Sequence, residues 1–206
     1  LLNTGASIPG RSLMEGSLQG LTAGTAFTGT GTIRVATTDQ SGVVVNYSDI
    51  NLGAMTTVND VLTALNGVAG LTATLNTDGE LSITVTPSTN GVVINPLTSS
   101  VTSSTGESFS QYFGLNDMFV GTGAEDIKVS DYLVSRPDYL SIATLNSSAT
   151  LAVGDQGVAR GDGSVADALA DLLTSTLSFN AAGNFSAQSN SLLAYAQAYM
   201  SDVATQ

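Results

Sequence analysis

The sequence predicts an α+β fold, in which an antiparallel, β-rich outer domain with one packed helix is joined to a mainly helical domain. Two observations carry this prediction. Between residues 27 and 96, short runs of alternating apolar and polar residues flank one amphipathic segment. From residue 125 onward, apolar residues recur every three or four positions instead. Strands that follow one another closely favour a single antiparallel sheet, and the helix would cover one of its faces.

The first hairpin is predicted after residues 1–26, which have no sustained period and are expected to be an extended lead-in. Residues 32–37 alternate apolar and polar side chains, as a half-buried strand does. Residues 39–42 read Asp-Gln-Ser-Gly, which is turn chemistry, and residues 43–47 are β-branched and aromatic. We therefore expect residues 43–47 to pair back onto the first strand.

One helix is predicted to begin after Thr57, which stands in capping-box spacing with Asp60. The apolar residues that follow fall on one helical face: Val58, Val61, Leu62 and Leu65. The sequence Asn66-Gly67 is expected to stop this helix, because glycine can adopt the left-handed cap conformation.

A second hairpin is predicted over residues 71–85. Both arms, 71–75 and 81–85, alternate in polarity, and Asp78-Gly79 lies in the turn between them. Pro87 should end this hairpin, and residues 92–94 form a further short strand. Two hairpins and one helix thus make up the predicted outer domain at residues 27–108.

Residues 109–206 are predicted to form the mainly helical domain. Its first stretch, residues 109–119, is the richest in aromatic side chains and is expected to be a core anchor that joins the two domains. A helical turn is expected at residues 130–135, because the residue before Pro137 is pushed out of the helical region.

Two longer helices are predicted nearer the end of the chain. Ser164 and Asp167 have the spacing of a second capping box, which predicts a helix that begins there. A heptad-like seam marks the last helix, at Leu192, Ala196, Tyr199 and Val203. We expect this helix to lead toward a C-terminal coiled-coil region beyond residue 206.

The composition disfavours catalysis, and we expect this protein not to be an enzyme. The chain has no histidine and no cysteine, which removes Ser–His–Asp and Cys–His sites and nearly every zinc site. It carries 17 acids against 5 scattered bases, a net charge of −12. Neither a nucleic acid nor an anionic membrane surface is therefore an expected partner. No catalytic, cofactor or metal site is predicted.

The remaining polar residues are interpreted as structural. Six acids fall at predicted turns or helix starts, where carboxylates accept backbone hydrogen bonds: Asp60, Asp78, Glu80, Asp117, Glu125 and Asp126. A dyad of Ser130 and Lys128 would need a buried lysine, and the surrounding sequence is strongly polar. Residues 29–34 are glycine-rich, but they lack the third glycine and the following helix of a dinucleotide site.

Residues 155–163 hold two acids among glycines, without the alternating ligands and closing glutamate of a calcium loop. Within them, Arg160-Gly161-Asp162 spells an integrin-type tripeptide, and matches of three residues arise often by chance. Three glycosylation sequons, which matter only in a glycosylating secretory pathway, begin at Asn46, Asn146 and Asn184.

Three stretches resemble one known family. Residues 112–121, Tyr-Phe-Gly-Leu-Asn-Asp-Met-Phe-Val-Gly, are similar to the aromatic-Phe-Gly-Leu-Asn-Asp segment of the flagellar hook-associated proteins. Residues 127–140 resemble that family's short strand and helix with a proline break. Residues 152–155 and 163–172 resemble its Gly-Asp loop and alanine-and-leucine helix. The likeness is to the first hook-associated protein family, found at the hook–filament junction.

This resemblance implies an extracellular structural protein of the bacterial flagellum, exported unfolded through the type III flagellar apparatus. It implies a ring of identical subunits that adapts the hook to the filament. The implied partners are other copies, the hook protein, the neighbouring hook-associated protein, and an export chaperone that binds the C-terminal region. The family's long terminal helical regions are absent from this sequence, so we expect the chain to be the middle and outer part of a longer protein. No active site or cofactor accompanies that role.

An alternative from a different class is an extracellular adhesin or glycan-binding module. Thr-, Ser- and Asn-rich β-domains with few charges often serve that role, which would give the Arg160–Asp162 loop a purpose. A sugar site normally uses aromatic platforms. The chain has no Trp, and its six Tyr and six Phe fall mostly at predicted core positions. A sibling axial protein, such as the hook or distal rod, is a third interpretation, and residues 113–117 favour the junction protein over it.

Overall fold

A computed structural model describes residues 11–101, 106–115, 117–121, 125–137, 140–181 and 186–203. It has the α+β content that the sequence predicts, with short helices and small antiparallel sheets. The chain divides into two compact units. The first reaches Asp162, and the second is Gly163–Gln206.

The first unit contains, in chain order, β1 (Leu13–Glu15), β2 (Gly29–Thr30), β3 (Thr32–Thr38), β4 (Val44–Asn51), α1 (Val58–Asn66), β5 (Leu71–Leu75), β6 (Leu81–Val85), β7 (Gly91–Asn95), β8 (Ser100–Val101), α2 (Phe109–Tyr112), β9 (Phe119–Val120), β10 (Lys128–Val129) and α3 (Asp131–Ser135). The second unit contains α4 (Ser164–Thr174), β11 (Leu177–Phe179), β12 (Gln188–Asn190) and α5 (Leu192–Val203).

Both predicted hairpins form, but they belong to two three-stranded sheets rather than to one. The first sheet has the order β4-β3-β7, and the second has the order β1-β6-β5. Pro87, which has no N–H to donate to a ladder, lies between β6 and β7 and separates the sheets. The apolar faces of both sheets share one core with the buried side of α1.

The expected lead-in at residues 1–26 contributes a strand to the second sheet. In β1, Met14 pairs with Ile83 of β6 and is almost completely buried. The three residues of β1 are too few to show a period, and their partner lies about seventy positions away. Composition therefore predicted an extended segment there but could not identify its pairing.

Helix α1 begins as its capping box predicts. The Thr57 hydroxyl accepts the Asp60 N–H at 3.3 Å, and the Asp60 carboxylate accepts the Thr57 N–H at 3.0 Å. The apolar side of the helix is buried in the core, at Val58, Val61 and Leu65. The predicted left-handed cap is wrong, because Gly67 keeps a right-handed φ of −73° and its N–H still donates to helix carbonyls. Gly70 instead takes the positive φ, directly before β5.

The structural division of the chain differs from the predicted boundary after residue 108. Phe109 and Phe113 are fully buried in the core that the two sheets and α1 share. Such large apolar side chains bury the most surface where a core already exists, which holds this segment to the β-rich unit. Among the described residues of 109–162, the only α-helices are the short α2 and α3. This stretch is therefore not mainly helical.

Strand β3 is buried on both faces, because residues 141–158, here called the cover segment, pack on the side opposite the main core. Val35 faces the main core, whereas Ala36 belongs to a second apolar cluster with Leu145, Leu151 and Val158. Backbone hydrogen bonds fasten the cover segment to the start of β4, as between the Val44 N–H and the Asp155 carbonyl at 2.9 Å.

Arg34 of β3 joins the first sheet to the cover segment. Its guanidinium donates to both carboxylate oxygens of Asp49 at 2.7 and 2.8 Å, and to the Ser148 carbonyl at 2.6 Å. The guanidinium also lies 5.3 Å from the ring centroid of Tyr47. The hydrogen bonds from Arg34 to Asp49 raise the pKa of Arg34 above its ordinary value. Arg34 is 4% exposed and Asp49 is 42% exposed, so the cation is the buried partner.

The second unit combines two helices with a hairpin that the sequence did not indicate. Strands β11 and β12 pair antiparallel, and Phe179 stacks on Tyr195 with ring centroids 4.0 Å apart. The predicted capping box of Ser164 and Asp167 is wrong, because Gly163 occupies the cap position and no side chain caps it. Ser164 is already the first helical residue. Helices α3 and α5 occupy the predicted ranges.

Because Arg34 is buried and Asp49 is partly exposed, we expect substitution of each residue to lower the free energy of unfolding by a different amount. Asp49→Ala should lower the free energy of unfolding by about 3 kcal/mol, because it leaves a buried charge without its carboxylate. Arg34→Met should cost roughly 1–2 kcal/mol, because the remaining Asp49 is hydrated. Urea denaturation followed by circular dichroism measures both values. An Arg34→Met variant that is less stable than Asp49→Ala would contradict this assignment.

The capping box predicts a pH dependence that can be followed at one residue. Hydrogen bonds from the Thr56 N–H foremost, and then from Thr57, hold the pKa of Asp60 below its ordinary value. A depressed folded-state pKa contributes stability that is present above the unfolded value of ~3.9 and is lost as the pH falls through the folded value. NMR titration of the Asp60 carboxyl should show the depressed midpoint. Asp60→Asn should flatten the acid limb of the stability curve, and an unchanged limb would exclude this role.

Candidate functional site

A cavity of about 320 Å³ lies between the end of β1 and residues 114–133 in the first unit. Apolar side chains of Met14, Val120 and Leu133 line part of it. Its charged lining residues are four acids and one lysine, namely Glu15, Glu80, Asp117, Asp131 and Lys128. Ser130 also lines the cavity, so two of the acids considered from sequence and both members of the Ser–Lys pair lie at one place. The sequence did not indicate that Glu80 and Asp117 line one cavity with Lys128 and Ser130, because these acids lie further away along the chain.

The wall of this cavity depends on two glycines whose backbones approach closely. A Cβ on Gly16 would collide with the Phe113 carbonyl, and one on Gly114 would collide with the Ser17 side chain. Gly114 also has a φ of +65°, which side-chain-bearing residues rarely adopt. The Ser17 N–H donates to the Phe113 carbonyl at 3.1 Å, and the Ser17 hydroxyl donates to Asp117 at 2.5 Å. The motif Phe-Gly-Leu-Asn-Asp is thereby attached to the N-terminal strand.

The lysine of the possible Ser–Lys dyad lacks the environment of a general base. Lys128 is exposed, and its ammonium contacts the Asp131 carboxylate at 2.6 Å. A catalytic lysine of this kind is activated by burial away from charge. The cavity therefore brings Lys128 and Ser130 together without the burial that such chemistry needs.

The acids considered from sequence lie where turns and helix starts were predicted. Asp60 caps α1, and Asp78 and Glu80 belong to the 76–80 turn, in which the Asn76 side chain accepts both of their N–H groups. Glu125 and Asp126 form a turn before β10. Within the described residues, no group of three or more acids is arranged to hold a metal ion.

The integrin-type tripeptide is engaged in local structure. The Asp162 carboxylate accepts the Thr144 N–H at 3.0 Å, and Arg160 donates to the Ser41 hydroxyl at 2.9 Å. In the same loop, the Asp155 carboxylate accepts the Ala152 N–H at 2.8 Å and closes a turn. These contacts give the loop's charged residues a structural role and weaken the case for adhesion through Arg160–Asp162.

Two of the three sequon asparagines lie in described parts of the first unit. Asn46 lies in β4 opposite Thr37, and the Asn146 side chain closes a turn by accepting the Ser148 N–H at 2.8 Å. Asn184 lies outside the described residues. In the part of the chain that the structure describes, no helix has both the length and the apolar character to cross a membrane.

The β9–β10 ribbon carries an apolar face that points to solvent. Phe119 pairs directly with Val129, and Ile127 lies two residues before Val129, immediately before β10. These three side chains are 58%, 41% and 62% exposed. The expectation that all of residues 109–119 form a core anchor is therefore wrong for Phe119, although it is right for Phe109 and Phe113. Strand alternation over so few residues was too short a signal to predict this.

Helix α5 carries a second exposed apolar face in the second unit. Leu192, Leu193, Tyr199 and Met200 are each 41–65% exposed. Leu192 and Tyr199 belong to the seam predicted from the heptad-like spacing, and Leu193 and Met200 lie beside them. The twelve residues of α5 include a single charged residue, Asp202. Such an uncovered apolar helix face is typical of a surface that packs against another helix.

Comparison with known proteins adds no relative to this picture. No model of a known protein family matches the chain, and no curated protein matches it significantly. The likeness to flagellar hook-associated proteins accordingly rests on the motifs within residues 112–172.

The close backbone contact at Gly114 predicts that adding a single methyl group there strongly destabilises the protein. Gly114→Ala should lower the free energy of unfolding by roughly 3 kcal/mol, because it combines positive φ with a collision at Ser17. Gly20→Ala is the matched control, since Gly20 has a φ of +77° and open space around it. That control should cost about 1 kcal/mol from backbone strain alone. Equal losses in thermal or urea unfolding would show that the close approach is unimportant.

Proposed function

We propose that this protein is a structural assembly subunit, and that its place is the junction between the hook and the filament of a bacterial flagellum. The observation that carries the proposal is the exposed apolar face of α5. A soluble domain rarely leaves four large apolar side chains uncovered along one short helix unless another chain covers them. The flagellar assignment adds the motif resemblance of residues 112–121, 127–140, 152–155 and 163–172 to this observation.

The proposed occupant of the α5 face is a second copy of this chain. Each copy has a net charge of −12, so most of its surface repels another copy. Helix α5, with one charged residue in twelve, is a place where that repulsion is weakest and apolar burial can exceed it. Contacts of this kind would connect identical subunits into the ring that the resemblance implies.

The resemblance also supplies the rest of the proposal. The protein would be exported and would act outside the cell. Its partners would be the hook protein, the neighbouring hook-associated protein and an export chaperone that binds the C-terminal region. In this role the protein works through subunit contacts and needs no cofactor. The adhesin alternative has less support, because Arg160 and Asp162 are engaged within the fold.

Deletion of the gene in the source organism tests the flagellar assignment. The deletion strain should assemble hooks and shed unattached filament protein into the medium. Complementation with the Leu193→Ser/Met200→Ser double variant should fail to restore filaments, whereas Val153→Ser, which changes an exposed apolar residue of the first unit, should restore them.

Two results would overturn the proposal. Intact filaments in the deletion strain would exclude the junction role, and full rescue by the double variant would exclude the α5 contact. Saturable sugar binding on a glycan array, together with intact filaments, would favour the adhesin. Circular dichroism of each variant would verify that it folds.

A further inference from the structure

We infer that the outward face of the β9–β10 ribbon, formed by Phe119, Ile127 and Val129, docks a second polypeptide whose apolar residues are flanked by lysine or arginine. This surface lies in the first unit, and the inference does not depend on the flagellar assignment. It concerns a different partner from the second copy proposed for α5.

The geometry of the ribbon separates an outward face from an inward one. Val120 and Lys128 are a directly opposed pair, and both line the cavity. The neighbouring pair, Phe119 and Val129, therefore points to the other side. Ile127 directly precedes β10, does not line the cavity and is 62% exposed, so we group it with that outward pair. The apolar face is thus a consequence of the register, and it does not belong to the cavity.

The exposure of this face is selective. Phe109 and Phe113, a few residues earlier, are completely buried in the main core. Phe119 is exposed by more than half and lies beside two exposed β-branched residues on a ribbon of only two strands. An isolated two-stranded ribbon is only marginally stable in water, and exposure of an apolar face to solvent lowers its stability further. A partner that covers the face would remove this cost.

The ribbon is fixed in place before any partner arrives. The Ser17 hydroxyl holds Asp117 at the entry to β9, and the Ser130 N–H donates to the Met118 carbonyl at 3.0 Å at its base. Gly121 lies against the backbone of Ile127, where a Cβ would not fit. A surface held in this way loses little conformational freedom on binding.

The charges around the face determine the chemistry of the occupant. Two exposed acids, Glu125 and Asp126, directly precede Ile127, whereas Lys128 is paired with Asp131 and both line the cavity. A second copy cannot complement the two exposed acids, because it brings 17 acids and only 5 bases, of which Arg11 and Arg34 are buried. An anionic lipid surface is repelled for the same reason. The complementary occupant is a different polypeptide with basic residues beside its apolar ones.

The spacing of the apolar residues favours an extended partner. Val129 lies on β10 opposite Phe119, and Ile127 directly precedes that strand, two residues before Val129. A segment with apolar residues at alternate positions and basic residues between them matches that spacing and carries the complementary charge.

A pair of synthetic peptides tests this inference with defined probes. The basic probe is Lys-Val-Lys-Ile-Lys-Val-Lys, and the acidic probe is Glu-Val-Glu-Ile-Glu-Val-Glu. NMR titration of the isotopically labelled full chain should show saturable shifts at the amides of Phe119, Ile127 and Val129 with the basic probe only. Raising the salt concentration should weaken binding, because the charges are at the surface.

Matched variants separate the apolar and the charge contributions. Phe119→Ser/Ile127→Ser should weaken binding of the basic probe by about tenfold or more, whereas Val153→Ser should leave it unchanged. Glu125→Lys should also weaken it, and Asp171→Lys, which makes the same charge change in the second unit, should not.

The inference would be overturned by equal binding of both probes, by no binding of the basic probe, or by shifts that map to other residues. Self-association of the chain that the Phe119→Ser/Ile127→Ser variant abolishes would equally overturn it, because the occupant would then be a second copy.

Discussion

The close approach of the backbones at Gly16 and Gly114 is the constraint on which the first unit depends. Because neither residue has a Cβ, the end of β1 can donate hydrogen bonds to the Phe113 carbonyl while the Phe113 ring stays in the core, stacked on Phe27. The same contact places Ser17 beside Asp117, from which the β9–β10 ribbon departs. One contact between segments about a hundred residues apart thus fixes the second sheet, the aromatic core and the exposed ribbon together. A larger residue at either glycine would collide with the facing segment and strain the contact that joins these three parts.

A second constraint holds the first sheet between two apolar clusters. Side chains of β3 alternate between the main core and the cover segment, and Arg34 closes the edge of that second layer by bonding Asp49 and the Ser148 carbonyl. Most large apolar residues of the first unit are therefore buried in one of these two clusters. Among the exposed large apolar residues described in this unit, Phe119, Ile127 and Val129 belong to one ribbon, whereas Val134 lies in α3 and Ile142 and Val153 lie in the cover segment.

The parts of the fold that sequence could predict are those determined by local chemistry. The capping box at Thr57 and the turn at Asp78-Gly79 each involve residues within a few positions of one another, and both form as expected. The pairing of β1 with β6, the cavity and the exposure of Phe119 depend on contacts between distant segments, which periodicity does not encode. The capping box predicted at Ser164 is wrong by a single position. Helix α4 begins one residue earlier than predicted, so Ser164 lies inside the helix and not at its cap. Exposure of the α5 seam was compatible with the spacing, but the spacing alone describes a covered helix equally well.

The two uncovered faces differ in chemistry, and each therefore fits a different partner. The α5 face is almost uncharged and suits a second copy, whereas the ribbon face directly follows two exposed acids, Glu125 and Asp126, and suits a basic partner. The most direct test of assembly through α5 is site-specific photocrosslinking from position 200 of the protein in the cells that make it. We expect covalent dimers of this chain, identified by mass spectrometry, when the photoreactive group replaces Met200. If position 200 gives no dimers under conditions in which the protein is assembled, the α5 face does not meet another copy and assembly through this helix is excluded.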